Sequence, residues 1–280
     1  MLYKVDAIVL RSRDLGEADK VLTLYSKEEG KLQAAARGAR RPRNRMTGAA
    51  QALTHGQFML FRGRGLDTVS QCQIEDSFQG LRDDLVKGSA AQYAGELLDL
   101  LSRERDRNES AFLLLLTCLF LLSEADDVDF VLRLYELRLL ASLGFRPRLD
   151  RCAGCGGPVT SNPVFFGLAS GGVLCQDCQA GSIPAASATA TATAAAGGAD
   201  SAGGAEPGHL LSRGTVETMR RMLDGDLRRA MNLRPTAATR AEMAKAVHGY
   251  ILYHFDKLPR SLEFLETLLK PAQIRPNPQS

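Results

Sequence analysis

The chain has 280 residues, of which 45% are hydrophobic and 24% are charged, and its formal net charge at pH 7 is +3. These values are typical of a folded globular protein and exclude collagen-like and highly charged disordered chains. The longest apolar run, residues 111–122, is too short to span a bilayer, and the N-terminus lacks the apolar segment of a signal peptide. We therefore expect a cytoplasmic protein without a membrane partner.

Residues 1–78 carry short strand-like segments separated by glycines. The segments are residues 5–10, 20–25, 31–36, 57–61 and 68–74. They are rich in β-branched residues or alternate between polar and apolar side chains, which is the pattern of half-buried strands. Five short strands in about 75 residues favour a small Greek-key barrel, and the OB-fold is the barrel of this kind that binds nucleic acid.

One stretch of this region, residues 31–66, contains no Asp or Glu. Its basic residues are Lys31, Arg37, Arg40, Arg41, Arg43, Arg45, Arg62 and Arg64. In the rest of the chain the acidic residues outnumber the basic ones, so the protein has one basic region rather than a basic surface. Such a region on a barrel predicts a groove for a polyanion, although a solvated arginine-rich loop is the alternative.

Aromatic side chains are scarce near the basic stretch. Only Phe58 and Phe61 lie close to it, the chain has no Trp, and we expect both phenylalanines in the barrel core. Base stacking needs exposed rings. The sequence therefore predicts binding through phosphates with weak sequence preference.

Residues 79–147 change to a helical period. Leucines recur every three to four residues, acidic residues stand at the junctions, and Gly144 and Pro147 follow the last segment. This pattern predicts three helices packed through leucine faces.

Two C-x-x-C pairs follow, Cys152 with Cys155 and Cys175 with Cys178. This spacing predicts a four-thiolate zinc ribbon over residues 148–182, with zinc in a structural role because four thiolates leave no site for water. A redox dithiol and an iron–sulfur cluster are the alternatives. Cys72 and Cys118 are expected to be core thiols.

Residues 183–208 are almost entirely Ala, Thr, Ser and Gly, which predicts a flexible linker. Residues 209–280 return to a helical pattern and form the second part of the helical domain. His248 and His254 are six residues apart, a poor spacing for chelation from one helix, so they are expected in the core or on the surface. The expected fold class is multidomain α+β.

Several short motifs, in this order, resemble the bacterial RecO family of recombination mediators. They are AIVLR at 7–11, DLGEAD at 14–19, ARGARR at 36–41, RGLD at 64–67, the two cysteine pairs and KLPRSLEFL at 257–265. The resemblance implies an N-terminal OB-fold, a helical domain with a zinc module, binding of single- and double-stranded DNA, and annealing of complementary strands. It also implies work with RecR to load RecA on DNA coated by single-strand-binding protein (SSB), whose acidic tail the helical domain engages.

For the SSB tail we expect Arg133 and Arg138, which stand on a leucine-rich helix; the alternative is that they form its solvated face. The expected function is that of a DNA-binding mediator without enzymatic activity. An RNA-binding factor with the same two modules is the alternative, and a metal-dependent hydrolase is a third reading. No P-loop or dinucleotide-binding fingerprint occurs in the sequence.

Overall fold

The alternating N-terminal segments form five strands that close into a barrel. The computed structural model describes residues 1–41, 44, 46–181 and 206–269. The strands are β1 (Leu2–Leu15), β2 (Asp19–Ser26), β3 (Gly30–Ala36), β4 (His55–Phe61) and β5 (Asp67–Asp76), with the short helix α1 (Met46–Ala49) between β3 and β4. The strand order is β1-β2-β3-β5-β4, and antiparallel pairing of β1 with β4 closes the ring.

The barrel interior follows the two-residue period of the strands. Leu22, Leu24, Leu32, Phe58 and Leu60 lie inside it and are at most 1% exposed. Among the described barrel strands, β3 and β5 are the pair that runs parallel, and they pair over two residues, Ala34 with Asp67 and Ala35 with Thr68. The first half of β3 therefore lies beyond the barrel ladder on that side.

Leucine-rich helices follow the barrel because their apolar residues recur at helical spacing. They are α2 (Gln79–Asp83), α3 (Leu85–Leu101), α4 (Glu109–Glu124) and α5 (Val128–Ser142). Asp84 caps α3 by accepting from the amides of Val86 and Lys87, and Asn108 caps α4 by accepting from the amide of Ala111. Gly144, with φ at +89°, follows the end of α5.

The remaining elements are two short hairpin strands, a third strand and further helices. They are β6 (Val164–Gly167), β7 (Gly172–Leu174), α6 (Gln176–Gln179), β8 (Gly208–Leu211), α7 (Arg213–Asp224), α8 (Leu227–Met231), α9 (Ala237–Phe255) and α10 (Ser261–Leu269). The sheet order is β7-β6-β8, so a strand from beyond residue 205 completes the hairpin.

The contacts divide the chain into two units. Unit 1 is residues 1–135 with 258–280, and unit 2 is residues 136–257. Helices α2 to α4 and α10 thus belong to the same unit as the barrel. The boundary between the two units therefore does not coincide with residue 78, the predicted end of the barrel domain. The predicted fold class is confirmed: a barrel, a helical region and a four-cysteine module.

Parts of two predicted segments lie outside the described residues. The Ala/Thr-rich linker is described only from Glu206 onward, where Gly208 belongs to β8 rather than to a linker. The segment predicted over residues 209–280 is described as far as Leu269. Among the described helices, none combines the length and apolar character that a membrane span requires.

Candidate nucleic-acid interface and metal centre

The four paired cysteines meet at one point in unit 2. The sulfurs of Cys152, Cys155, Cys175 and Cys178 all lie within 4.8 Å of one another. The Sγ atoms of Cys155 and Cys175 are 3.8 Å apart. Four sulfurs at about 2.3 Å from a central tetrahedral zinc would be about 3.8 Å apart, so the cluster fits this ion.

Tight backbone turns bring the two pairs together. The first pair lies on a turn in which the amide of Gly156, with φ at +74°, donates to the carbonyl of Cys152. The second pair stands at the start of α6, where Cys175 is the N-cap. A Cβ at Gly154 would lie 3.0 Å from the Cys178 sulfur, so a side chain at this position would require the opposite thiol or the turn to shift.

Backbone amides favour the thiolate form of Cys152, whereas the pKa values of Cys175 and Cys178 are raised. Burial alone would raise the pKa of Cys152, but hydrogen bonds from the amides of Cys155, Cys175 and Gly154 lower it to about 6. The amide of Cys175 lies 3.3 Å from the Cys152 sulfur. Amide donors of this kind stabilise metal-bound thiolates, which makes the site suited to holding a cation.

On the barrel, the outer surface of β2 and β3 is covered. In OB-folds this surface, with the loops β1–β2 and β4–β5, takes oligonucleotides. Here Tyr25 lies outside the barrel core but is fully buried, and its hydroxyl lies 3.5 Å from the Asn108 carbonyl oxygen. This burial raises the pKa of Tyr25 to about 12. The Gln33 side chain donates to Glu104 at 3.1 Å, and an isolated bridge joins Lys31 to Glu104. Residues 99–108 therefore occupy the surface that the sequence assigned to DNA.

Lys31 illustrates the consequence for the predicted basic groove. Its ammonium donates to the Asp99 carbonyl at 2.6 Å and lies 3.3 Å from the Asp99 carboxylate, with 13% of the side chain exposed. Its charge is compensated within the protein. Of the predicted DNA-binding residues, Lys31 is therefore the least suited to contact a phosphate.

Arg40 and Arg62 are exposed but already engaged. Arg40 donates to the Gly16 carbonyl at 2.7 Å and lies 3.4 Å from Asp14, which fixes the β3–α1 loop against the β1–β2 turn. Arg62 pairs with Glu29 at 2.9 Å and lies 4.6 Å from the centre of the Tyr3 ring. Both arginines shape their loops as well as carrying charge.

The remaining predicted arginines on the described barrel are exposed and uncommitted. Arg37, Arg41 and Arg64 are exposed, and none forms a side-chain hydrogen bond or ion pair with the described residues. Arg43 and Arg45 lie outside the described residues. Because β3 and β5 pair in parallel, Arg37 after the end of β3 and Arg64 before the start of β5 lie beyond opposite ends of the paired segment.

Asp67 is a residue of this region that the sequence reasoning missed. It is fully buried, yet its carboxylate accepts from the Gly63 amide at 2.8 Å, from Arg105 at 2.8 Å, and from the Tyr3 hydroxyl. Burial alone would raise the pKa of Asp67, but these hydrogen bonds outweigh it and lower the pKa. An Asp directly after a glycine-rich turn is the sequence signal for such a loop closure.

The prediction that both phenylalanines lie in the barrel core is wrong for one of them. Phe58 is fully buried, but Phe61 is 50% exposed because β4 ends there, opposite the exposed Leu2. One aromatic ring is thus accessible beside Arg62.

Arg133 and Arg138, predicted for the SSB tail, are not displayed on a solvated helix face. The side chain of Arg133 is 3% exposed and lies 3.5 Å from Asp129. Arg138 donates to the carbonyls of Met222 at 2.9 Å and Gly225 at 2.6 Å, and so satisfies the C-terminal end of α7. Both arginines have roles within the fold.

Comparison with known proteins gives matches along most of the chain. The family model of recombination protein O, N terminal, matches residues 1–78, and that of its C terminal matches residues 82–206. The chain is 45% identical to a DNA repair protein RecO of Symbiobacterium thermophilum over 95% of this chain and 98% of the relative. It is 38% identical to a DNA repair protein RecO of Pelotomaculum thermopropionicum over 95% and 94%, respectively.

Proposed function

The chain belongs to the RecO family of DNA repair proteins, and from this premise we propose that it is a mediator that binds single- and double-stranded DNA through its barrel. One observation carries the proposal. Arg37, Arg41 and Arg64 are exposed on the barrel and have no side-chain partner among the described residues. Uncommitted guanidinium groups are the groups that bind phosphate by charge-assisted hydrogen bonds.

The position of these arginines supports a path along the barrel rim. The outer surface of β3 is occupied by residues 99–108. A nucleic-acid strand would therefore contact the loops of the barrel instead. Phosphate contacts to Arg37, at the end of β3, and to Arg64, ahead of β5, would lead a nucleic-acid strand across this rim. Binding through phosphates leaves the base edges free to pair with a second strand. Neutralising the phosphate charge of two complementary strands also lowers their repulsion, so the protein would promote their annealing.

The test is a triple variant, Arg37→Gln with Arg41→Gln and Arg64→Gln. Each lost contact to single-stranded DNA reduces the log–log salt slope by about 0.7, so three reduce it by about 2 and weaken binding on the order of 100-fold at 0.1 M salt. Fluorescence anisotropy across a salt series measures both quantities, and annealing of complementary labelled strands should slow in parallel. The control is Lys4→Gln, which removes an exposed charge from β1. An unchanged slope and affinity in the triple variant would reject the proposal.

We also propose that the protein acts with RecR to load RecA on SSB-coated single-stranded DNA. The support for this proposal is membership of the RecO family. Arg133 and Arg138 are poorly placed to receive the SSB tail because both are committed within the fold. An annealing assay with and without SSB tail peptide and RecR tests the partners.

The four-cysteine cluster is proposed to hold a structural zinc ion. All four sulfurs converge, which leaves no protein-free ligand position for catalytic water. The ion would bind Cys152, Cys155, Cys175 and Cys178 and stabilise the fold of residues around β6 and β7.

An RNA-binding factor is the second candidate, favoured only by the barrel architecture, which accepts either nucleic acid. Competition between DNA and RNA oligonucleotides of the same sequence separates the two: preferential RNA binding would favour this candidate.

A further inference from the structure

The β4–β5 loop, residues 62–66, is the segment that presents Arg64. Its sequence contains two glycines and offers little apolar surface, so its shape depends on hydrogen bonds. The Gly63 amide donates to Asp67 at 2.8 Å across the loop. A Cβ at Gly63 would lie 1.9 Å from the Leu66 carbonyl oxygen, so the turn closes as tightly as a glycine permits.

Asp67 joins this loop to two other parts of unit 1. Besides Gly63 it receives the hydroxyl of Tyr3 from β1 and the guanidinium of Arg105 from the segment between α3 and α4. Arg105 also pairs with Glu29 at 3.0 Å, and Glu29 pairs with Arg62 at the start of the loop. Both ends of the loop are therefore held by one ionic network with a fully buried carboxylate at its centre.

We propose that Asp67 is a positioning residue that holds the β4–β5 loop in the shape that presents Arg64 to a phosphate. The inference rests on the proposed nucleic-acid function of the barrel. Asp67 is buried and cannot touch nucleic acid, so it acts through Gly63 and the loop. Within the same network Arg62 lies between Glu29 and Tyr3, whereas Arg64 is exposed and has no side-chain partner among the described residues.

The test is a double-mutant cycle between Asp67→Asn and Arg64→Gln. The asparagine keeps the size of the side chain but removes the charge that holds Arg105. If Asp67 acts through Arg64, Asp67→Asn should weaken binding of single-stranded DNA about fivefold at 0.1 M salt and reduce the salt slope by about 0.7, as Arg64→Gln does. In the Arg64→Gln background it should cause no further loss. The charge control is Asp126→Asn, which removes an exposed carboxylate from the α4–α5 turn.

Amide hydrogen exchange supplies a readout that does not depend on nucleic acid. In Asp67→Asn the neutral amide oxygen is a weaker acceptor than the carboxylate, so exchange of the Gly63 amide should accelerate on the order of tenfold. If Asp67→Asn fails to fold, Gly63→Ala and Tyr3→Phe replace it in the same cycle. The first distorts the loop without disturbing the buried charge, and the second removes one donor.

The outcomes separate the inference from the proposed function. Weaker binding in Asp67→Asn that disappears in the Arg64→Gln background supports the inference. Binding equal to the wild type in Asp67→Asn, or an equal loss in both backgrounds, overturns it while the nucleic-acid function stands. If Arg64→Gln and the triple arginine variant both bind as the wild type does, the proposed interface and the inference fall together.

Discussion

Replacing Lys31 by methionine separates structural charge from DNA-binding charge in the basic stretch. Lys31 and Asp99 are 13% and 11% exposed, and the change leaves Asp99 with Arg11 as its remaining cationic partner. Breaking a fully buried pair costs about 3–5 kcal/mol. Because Arg11 remains and the site is partly exposed, we expect a loss of about 1–3 kcal/mol, which lowers the melting temperature by roughly 2–4 °C per kcal/mol in a unit of this size.

The affinity of Lys31→Met for single-stranded DNA and its salt slope should equal those of the wild type, since the ammonium does not face a phosphate. Thermal unfolding followed by circular dichroism and a salt series of anisotropy titrations give the two readouts. Lys4→Met, an exposed lysine on the same barrel, should change neither. A salt slope reduced by about 0.7 with an unchanged melting temperature would refute the reasoning, because Lys31 would then be a phosphate contact.

Two further predictions concern unit 2. Chelation of the metal, or Cys155→Ser, should strongly destabilise unit 2, because structural zinc contributes about 10–16 kcal/mol of binding free energy to small modules. DNA binding by the barrel should remain intact, and Cys72→Ser is the control. A melting profile unaffected by chelation would contradict a structural ion. Burial lowers the pKa of His254, and burial with the nearby Lys245 lowers the pKa of His209. Because folding lowers both pKa values, the unfolded state binds protons more readily. The free energy of unfolding is therefore unaffected by these groups above the unfolded pKa of about 6.5 and falls as pH drops below it. The melting temperature should drop between pH 7.5 and 5.5, and by less in His254→Gln; an identical drop in that variant would exclude His254.

The barrel strands and the cysteine cluster were predictable because both depend on patterns among residues that are close together in the sequence. Strand alternation needs only neighbouring residues, and C-x-x-C spacing specifies a turn that aims two thiols at one point. The short strand Gly208–Leu211 was missed because its partner, Val164–Gly167, lies about 40 residues earlier and the intervening composition favours a linker.

The roles of individual arginines and of Lys31 could not be read from the sequence. In the sequence Arg138 is one of several charged positions on a helix, and only the structure shows that it donates to the carbonyls of Met222 and Gly225. In the sequence Lys31 belongs to the basic stretch, and only the structure shows that Asp99 compensates its charge. A charge run reports how many charges a segment carries, whereas the partner of each charge is a long-range property of the fold.

The covered outer surface of the barrel limits how the protein can be divided. Ile8 and Tyr25 face each other across β1 and β2, both are fully buried, and neither belongs to the barrel core. Leu10, 1% exposed, approaches Gly95 of α3. A fragment that stops at residue 78, where the N-terminal family model ends, would bare these three side chains to water. It would also display a strand surface that the intact chain never offers to DNA. The barrel is one part of unit 1, which also contains α2 to α4 and α10. DNA binding measured on the isolated barrel would therefore include a strand surface that is covered in the intact chain.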